Sequence, residues 1–265
     1  MHNKLQTILL KKLREVNELH HQLQQNPDHP VAAILQGELL DRQFPSFGKN
    51  LQSSGLSVIA EIKRKSPSKG ELAAISNPLQ LAKRYVSGGA NALSILTDRE
   101  FFNGSLDDLN QVSLNLNNIP IIRKDFILDQ AQIAEAYVAG ASAVLLIVAA
   151  LHEKTAKLLE FAHSLRMDVL VEVHDADELK LALDAGADII GINNRNLTTF
   201  EVDTKCALQL LPFIPDSVIK VAESGITEPA LAREYHRAGF DAVLIGEALV
   251  KSDDPEQFIR ECCHD

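Results

Sequence analysis

The chain has 265 residues, of which 46% are hydrophobic and 23% charged, a composition typical of folded globular proteins and not of disordered or repetitive ones. The formal net charge is −10, so nucleic acid is not an expected partner, and an anionic small molecule needs a local positive site. The longest apolar run, 143–151, is far short of the roughly 20 residues that cross a bilayer.

Cysteine, histidine and N-terminal patterns narrow the class of protein further. The N-terminal segment lacks the apolar core and cleavage site of a secretory signal peptide. Cys206, Cys262 and Cys263 are odd in number and predict reduced thiols. The nine histidines show no spacing typical of metal ligands. We therefore expect a cytoplasmic protein with no metal site and no membrane partner.

The first 50 residues are predicted to form a helical extension. Apolar residues recur at three- and four-residue steps over 4–22, which predicts an amphipathic helix. Two prolines within 26–30 end it. A second short helix is predicted over 31–40, and a loop over 45–55. The remaining residues, 51–265, are predicted to form one catalytic domain.

From residue 56 onward, short runs rich in Val, Ile and Leu alternate with amphipathic helical segments. The eight predicted strands are 56–62, 92–96, 120–123, 143–148, 168–173, 189–193, 218–223 and 242–245. From the second strand on, successive strands start about 21 to 29 residues apart, which is the length of one βα unit.

Four glycines stand at the ends of predicted helices, just before the next strand: Gly89, Gly140, Gly186 and Gly239. We interpret them as residues that end the helices in the left-handed conformation. Eight parallel strands, each followed by a helix, close most simply into a (β/α)8 TIM barrel of the α/β class. An open doubly wound sheet is the alternative, but it would favour a Gly-x-Gly-x-x-Gly turn after an early strand.

Charged and amide side chains stand at the ends of five predicted strands, where a barrel of this kind holds its active site. The candidates are Glu61, Lys63, Lys124, Glu172, Asn193 and Glu223. Any single one is explained by a structural ion pair. Burying charged side chains from five strands at one mouth costs free energy of folding, so stability by itself does not explain the arrangement. The pattern therefore indicates proton-transfer chemistry, with shifted pKa values.

Two glycine-containing turns follow the last two strands. Ser224-Gly225 and Gly246-Glu247 are each predicted to open a helix, and backbone N–H groups at helix starts bind anions. These are the loops in which barrels commonly hold a phosphate. We therefore predict a phosphate site formed by both turns.

Aromatic and polar residues after the second and fifth predicted strands indicate a function less specifically than the charged residues do. Phe101 and Phe102 follow the second strand, where one of them is expected to pack inward and the pair to flank a flat substrate ring. Ser105 is predicted to cap the next helix. His174-Asp175 is interpreted as a helix entry capped by Asp175, in preference to a catalytic pair.

The motifs at these positions resemble the indole-3-glycerol-phosphate synthase family. The matching blocks are AEIKRKSPSKG (60–70), FNGSL (102–106), RKDF (123–126), VEVH (171–174), GINNRNL (191–197), AESGI (222–226) and LIGEAL (244–249). The likeness is weak over the first 50 residues and in the loop 71–76. It implies conversion of 1-(2-carboxyphenylamino)-1-deoxyribulose 5-phosphate to indole-3-glycerol phosphate, carbon dioxide and water in tryptophan biosynthesis, without metal or organic cofactor.

The resemblance also implies roles for individual residues. Lys124 would protonate the substrate carbonyl, Glu172 would work in the dehydration, and Lys63 would hold the carboxylate. The reaction needs a second general acid, and the resemblance leaves that role open between Lys63 and Lys124. The orienting residues would be Glu61, Asn193 and Glu223. The residues implied to bind substrate are Lys65, Ser66, Phe102 and Arg195, together with Ser224, Gly225, Gly246 and Glu247 at the phosphate.

Two alternatives remain at this point. One is a related phosphate-binding barrel, such as a phosphoribosyl isomerase or another carbon–carbon lyase. The lysines of the matched blocks argue against this alternative. The other is an inactive barrel that senses a phosphorylated metabolite or serves as a structural subunit among tryptophan-pathway enzymes. Such a protein is expected to lack one of Lys63, Lys124 and Glu172, and all three are present.

Overall fold

The computed structural model describes residues 4–41 and 43–263, and within them eight parallel strands form a closed barrel. The strands are β1 Ser57–Ile62, β2 Ala92–Leu96, β3 Ile121–Lys124, β4 Ala143–Ile147, β5 Asp168–Val173, β6 Ile189–Asn193, β7 Ile219–Glu223 and β8 Ala242–Ile245. Each strand pairs with the next in sequence, and β1 closes on β8 with Ser57 beside Ala242. The predicted barrel is confirmed, each predicted strand end lies within one residue of the observed end, and the open-sheet alternative is wrong.

Helices and one short hairpin connect the strands. The helices are α1 Lys4–Gln25, α2 Pro30–Leu35, α3 Phe47–Leu51, α4 Pro78–Ser87, α5 Arg99–Phe102, α6 Leu106–Asn115, α7 Gln130–Ala139, α8 Val148–Leu151, α9 Lys154–Ser164, α10 Ala176–Asp184, α11 Lys205–Leu210, α12 Pro229–Ala238, α13 Glu247–Lys251 and α14 Pro255–Cys263. A 3₁₀ turn spans Leu211–Phe213, and Lys65–Ser66 pairs antiparallel with Gly70–Glu71.

The predicted helix ends follow their local chemistry. The Ser105 hydroxyl accepts a hydrogen bond from the Asp108 N–H, which confirms it as the cap of α6. Four predicted end glycines have positive φ, at 98° for Gly89, 97° for Gly140, 81° for Gly186 and 114° for Gly239. A residue with a Cβ is strained in this conformation, so glycine ends each helix there at little cost.

Two predictions for the first 50 residues are wrong. The second helix ends at Leu35 and not at residue 40, because Gly37 follows in a left-handed conformation with φ of 93°. The predicted loop 45–55 contains α3, whose N–H at Lys49 donates to the Ser46 hydroxyl. A serine three residues before a backbone donor is a helix start, which the loop assignment overlooked.

Helix α3 closes the amino end of the barrel. Phe47 and Leu51 are fully buried in the apolar cluster that fills the barrel interior. The Ser46 hydroxyl and the Gly48 N–H both donate to Asp168 Oδ2, at the start of β5, over 3.0 Å. With this end filled, the carboxyl ends of the strands are the face open to a ligand.

Helix α1 is anchored at the opposite end by a buried lysine. Lys12 Nζ lies 2.9 Å from Asp98 Oδ2 and 2.8 Å from Asp125 Oδ1, residues that follow β2 and β3. The lysine is only 2% exposed. Helix α1 therefore lies across the carboxyl ends of two strands. The division of the chain at residues 50 and 51 stays a prediction.

We expect Lys12→Met to lower the free energy of unfolding by about 3–5 kcal/mol, the usual cost of removing one partner from a buried ion pair. Burial alone would raise the pKa of Asp125, but Arg123 and Lys12 outweigh burial and lower that pKa to about 2. Such a carboxylate contributes stability above its ordinary pKa and loses it as the pH falls toward the folded value. Urea unfolding from neutral pH to about pH 2 should show the gap between wild type and variant narrowing below about pH 4.

The matched control for this test is Lys11→Met on the same helix. Lys11 pairs with Glu100 at the surface, where both side chains are well exposed, and such pairs contribute about 0–1 kcal/mol. Equal losses of stability in the two variants would argue against a buried anchor at Lys12.

Candidate active site

A cavity of about 900 Å³ opens at the carboxyl ends of the barrel strands, within the size range of small-molecule sites. All six predicted catalytic residues and seven of the eight predicted substrate-binding residues line it. They are Glu61, Lys63, Lys124, Glu172, Asn193 and Glu223, with Ser66, Phe102, Arg195, Ser224, Gly225, Gly246 and Glu247. The structure thus brings together residues that lie up to 186 positions apart, from Glu61 to Glu247.

Lys65 is the predicted binding residue that does not line the cavity. Its Nζ donates to the carbonyl oxygen of Glu100 over 3.1 Å. Lys65 and Ser66 are neighbours in an extended strand of the hairpin, so their side chains point to opposite sides. Ser66 faces the cavity, and Lys65 is therefore directed to its rim.

An ionic cluster centred on Lys124 occupies the middle of the cavity. Lys124 Nζ lies 2.8 Å from Glu172 Oε2 and 2.8 Å from Glu223 Oε2. Lys124 ends β3 and Glu223 ends β7, while Glu172 is the last residue but one of β5 and Glu61 stands on β1. In a (β/α)8 barrel, alternate strands supply one layer of interior side chains. The cluster is therefore a layer built by the four odd-numbered strands.

The pKa values in this cluster shift in different directions. Burial alone would lower the pKa of Lys124, but Glu172, Glu223 and Glu61 outweigh burial and raise it, so the lysine is held as a cation. Burial would likewise raise the pKa of Glu172, but Lys124 and His174 lower it below its usual range. Burial raises the pKa of Glu223 to about 7, and the charge of Glu172 adds to this against the opposing effect of Lys124. Glu172 therefore stays ionised while Glu223 takes up a proton near neutral pH.

A second ion pair lies beside the cluster. Lys63 Nζ is 2.6 Å from Glu61 Oε1, and the Ser94 hydroxyl donates to Glu61 Oε2 over 3.4 Å. The pair lies directly against the backbone of Gly246, where an added Cβ would come within 2.3 Å of Glu61 Oε1 and 3.0 Å of Lys63 Nζ. Only glycine leaves room for this pair.

Strand β6 supports the cavity wall through its last residues. Asn193 Oδ1 accepts from the backbone N–H of Arg195 over 2.9 Å. Arg195 Nη1 then donates to the Ser68 hydroxyl and to the carbonyl oxygen of Phe200. In the same strand, Gly191 gives space to Glu223, because a Cβ there would come within 2.1 Å of Glu223 Oε1.

The two predicted phosphate turns lie together but differ in structure. Gly246 is the N-cap of α13, as predicted. Ser224 and Gly225 do not open a helix, since α12 begins only at Pro229. Their φ values of 64° and 81° are left-handed, which excludes a right-handed helix start. The prediction of a second helix start is therefore wrong.

Apolar and aromatic groups form the rest of the wall. Phe102 lines the cavity, and its ring centroid lies 6.3 Å from that of Phe126, while Phe101 does not line it. Leu145, Ile147 and Leu244 also line the cavity. The sequence interpretation missed these three and Phe126, although alternation along β4 predicts that Leu145 and Ile147 share one face.

Comparison with known proteins decides the family. The profile described as "Indole-3-glycerol phosphate synthase" matches residues 5–262. A protein of that name from Kineococcus radiotolerans is 48% identical, over 80% of this chain and 78% of its own. One from Mycolicibacterium gilvum is 51% identical over the same shares. The chain belongs to the indole-3-glycerol phosphate synthase family. The members are carboxy-lyases of tryptophan biosynthesis, so the predicted family and class of enzyme are confirmed.

Solved structures with the same architecture have other activities. A 3-hexulose-6-phosphate synthase from Salmonella typhimurium aligns with a TM-score of 0.62 at 12% identity, over 78% of this chain and 96% of that one. A tryptophan synthase subunit alpha from Legionella pneumophila aligns with a TM-score of 0.59 at 12% identity, over 81% of this chain and 95% of that one. At this identity the likeness shows the barrel fold alone.

His174 has contacts that the sequence interpretation missed. The Glu178 N–H donates to Asp175 Oδ1 over 2.9 Å, so Asp175 caps α10 as predicted. His174, however, lies between two carboxylates. Its Nδ1 is 2.9 Å from Glu178 Oε2, and its Nε2 is 3.3 Å from Glu172 Oε1. The positions 172 and 174 are two apart on an extended segment, which already predicts that both side chains share one side.

Over 4–41 and 43–263, no group of three or more His, Cys, Asp or Glu side chains is placed to hold a metal ion. Nor does any helix there combine the length and apolarity needed to span a membrane. A cytoplasmic location and the absence of nucleic-acid partners stay predictions.

Proposed function

We propose that this chain converts 1-(2-carboxyphenylamino)-1-deoxyribulose 5-phosphate into indole-3-glycerol phosphate, carbon dioxide and water. The observation that carries the proposal is the half-buried Lys124 ammonium, held between Glu172 and Glu223 inside a cavity that also contains Lys63. Ring closure onto a ketone needs a proton donor at the oxygen, and the dehydration needs another. This cluster supplies acids and carboxylates within one ligand-sized space.

The cavity lining offers different chemistry to different groups of the substrate. The phosphate is assigned to the backbone of Ser224, Gly225, Gly246 and Glu247, because both turns line the same cavity. The substrate carboxylate is assigned to Lys63, and the flat anthranilate ring to the apolar wall beside Phe102. Ser66 and Arg195 line the same cavity, and Lys65 is assigned to the rim.

Lys124 is assigned as the acid in ring closure. The aromatic carbon attacks the ketone carbon, and the developing oxyanion takes a proton from the Lys124 ammonium. An alkoxide is a strong base, so it can accept a proton even from a lysine whose pKa is raised. The flanking carboxylates of Glu172 and Glu223 keep the ammonium charged and aimed into the cavity.

Decarboxylation and dehydration follow. The carboxyl group leaves as carbon dioxide from the carbon that formed the new bond. The hydroxyl then leaves as water, and Glu172 acts in this step by accepting the proton that the closing ring loses. Glu61 orients Lys63, and Asn193 orients the loop that carries Arg195.

The assay for this proposal is direct. Purified protein incubated with the carboxyphenylamino-deoxyribulose phosphate should form a fluorescent indole and an equal amount of carbon dioxide. The matched control is the same substrate without its phosphate, for which KM should rise steeply. Binding of the substrate without any indole or carbon dioxide would instead support the metabolite-sensing alternative.

We also expect activity without a divalent metal. Lysines at the reacting carbonyl can play the part that a Lewis acid plays elsewhere. Turnover measured after extensive dialysis against EDTA should match that of the untreated enzyme. Loss of activity in EDTA, with recovery on adding zinc or magnesium, would refute this expectation. The sequence leaves association with other tryptophan-pathway enzymes open.

A further inference from the structure

Four side chains form a continuous line from the protein surface to the cavity. Glu178 Oε2 lies 2.9 Å from His174 Nδ1, and His174 Nε2 lies 3.3 Å from Glu172 Oε1. Glu172 Oε2 then lies 2.8 Å from Lys124 Nζ. Every separation is short enough for a proton to pass once the side chains rotate.

The line passes behind the cavity wall. Lys124 and Glu172 line the cavity, whereas His174 and Glu178 do not. Outward from Glu172, which is 2% exposed, side-chain exposure rises to 13% for His174 and 16% for Glu178, while Lys124 at the inner end is 12% exposed and lines the cavity. The outer end therefore touches solvent by a path separate from the mouth through which substrate enters.

The inner contact of the line has no competing partner. Glu172 Oε1 and His174 Nε2 are both buried, and neither has a hydrogen-bond partner among the described residues. They face each other across their 3.3 Å separation. No other described group therefore competes for this contact.

The groups around His174 leave it protonated. Burial alone would lower the pKa of His174, but the carboxylates of Glu172 and Glu178 raise it to about 10. From the neighbouring α11, the Cys206 thiol donates to the His174 carbonyl oxygen, and burial raises the pKa of that thiol, so it stays neutral. Asp175 is turned away to cap α10. His174 thus holds a proton ready at neutral pH.

The proposed reaction needs a proton from outside, and the inference rests on that proposed function. The ketone oxygen takes one proton as the carbon–carbon bond forms. The carboxylate leaves as carbon dioxide without one. The hydroxyl takes a second proton as the carbon–oxygen bond breaks, and the carbon next to the ring nitrogen then gives one up. Each turnover therefore consumes one proton, and the second is needed while substrate still fills the mouth.

We propose that His174 is a proton-relay residue, which delivers a proton from Glu178 and solvent through Glu172 to Lys124 between ring closure and dehydration. Lys124 is neutral after it has protonated the ketone oxygen. His174 Nε2–H gives its proton to Glu172 Oε1. The protonated carboxyl group then turns about its Cγ–Cδ bond, and the same proton passes from Glu172 to Lys124 Nζ. His174 is refilled at Nδ1 from the solvent side. Glu172 then has its carboxylate free to accept the ring proton.

The test is a single-turnover experiment with enzyme in excess, following carbon dioxide and indole fluorescence separately. His174→Gln keeps a hydrogen-bond donor but cannot relay a proton, and Glu178→Gln removes the outer acid. In both variants carbon dioxide should be released within about twofold of the wild-type rate, while indole should form at least about tenfold more slowly. His163→Gln, an exposed histidine on α9, is the control and should match wild type.

The other outcomes overturn the relay. Equal slowing of both steps means that His174 has a structural role. Slowing of neither means that the second proton comes from another donor, such as Lys63. Glu178→Gln answers the question independently if His174→Gln does not fold. Failure of wild type to form indole would refute the proposed function itself, whereas an active wild type with unaffected variants would refute only the relay.

Discussion

Replacing Lys124 with methionine is expected to lower kcat at least about 100-fold while changing KM far less. Methionine keeps the aliphatic length and removes the ammonium that neutralises the developing oxyanion, an interaction made mainly in the transition state. The variant should still fold, because the pKa of Glu223 is already raised to about 7 by burial and by nearby Glu172. With Lys124 absent, that carboxyl group can stay protonated and relieve the repulsion.

Lys220→Met is the matched control for this variant. Lys220 is likewise a lysine of a barrel strand and is buried, but its Nζ donates to the Val218 carbonyl oxygen near the amino end of β7. Steady-state kinetics should show a large loss of kcat in Lys124→Met, which lacks the acid, and little change in Lys220→Met, which lacks only a lysine of the barrel wall. If Lys124→Met keeps its kcat and raises only KM, Lys124 is a binding cation, and Lys63 becomes the candidate acid.

Gly246→Ala is expected to lower kcat/KM about 100-fold, with little change in stability. The added methyl would come within 2.3 Å of Glu61 Oε1 and 3.0 Å of Lys63 Nζ, so the ion pair must move. A shift of about 1 Å in a reacting or orienting group can cost about 10²-fold in rate. Because Gly246 also lies at the proposed phosphate turn, both kcat and KM should change.

Gly48→Ala controls for the loss of a buried glycine. Its added Cβ would lie 3.4 Å from Ile189 and 3.5 Å from Ile219, which are ordinary contact distances, and it stands on α3 at the closed end of the barrel. Its activity and thermal midpoint should match wild type. Wild-type kinetics in Gly246→Ala would show that the Glu61–Lys63 pair does not depend on this close approach.

The barrel was predictable because its determinants are local. A strand buried on both faces requires a continuous apolar run, and a helix that must end before such a strand favours glycine in the left-handed conformation. These rules placed every strand end within one residue. The same rules failed at α3, where a serine cap was read as part of a loop.

Most of the candidate site was predictable for a related reason. Once eight parallel strands close into a barrel, the last residues of all strands meet at one mouth. Residues as distant in sequence as Glu61 and Glu223 therefore had to share it. The exception is Lys65, which the extended geometry of the hairpin turns toward the rim.

The sequence by itself determined which residues reach the mouth, because strand period and strand ends are properties of short segments. Only the tertiary structure decided which of them pair and with what charge. The raised pKa of Lys124 depends on three carboxylates from three other strands. The anchoring of α1 depends on Lys12 reaching two loops. The contact between His174 and Glu178 depends on how α10, which carries Glu178, packs against the end of β5. Such contacts are set by distances of a few ångströms between remote segments, and Coulomb energies change steeply over those distances.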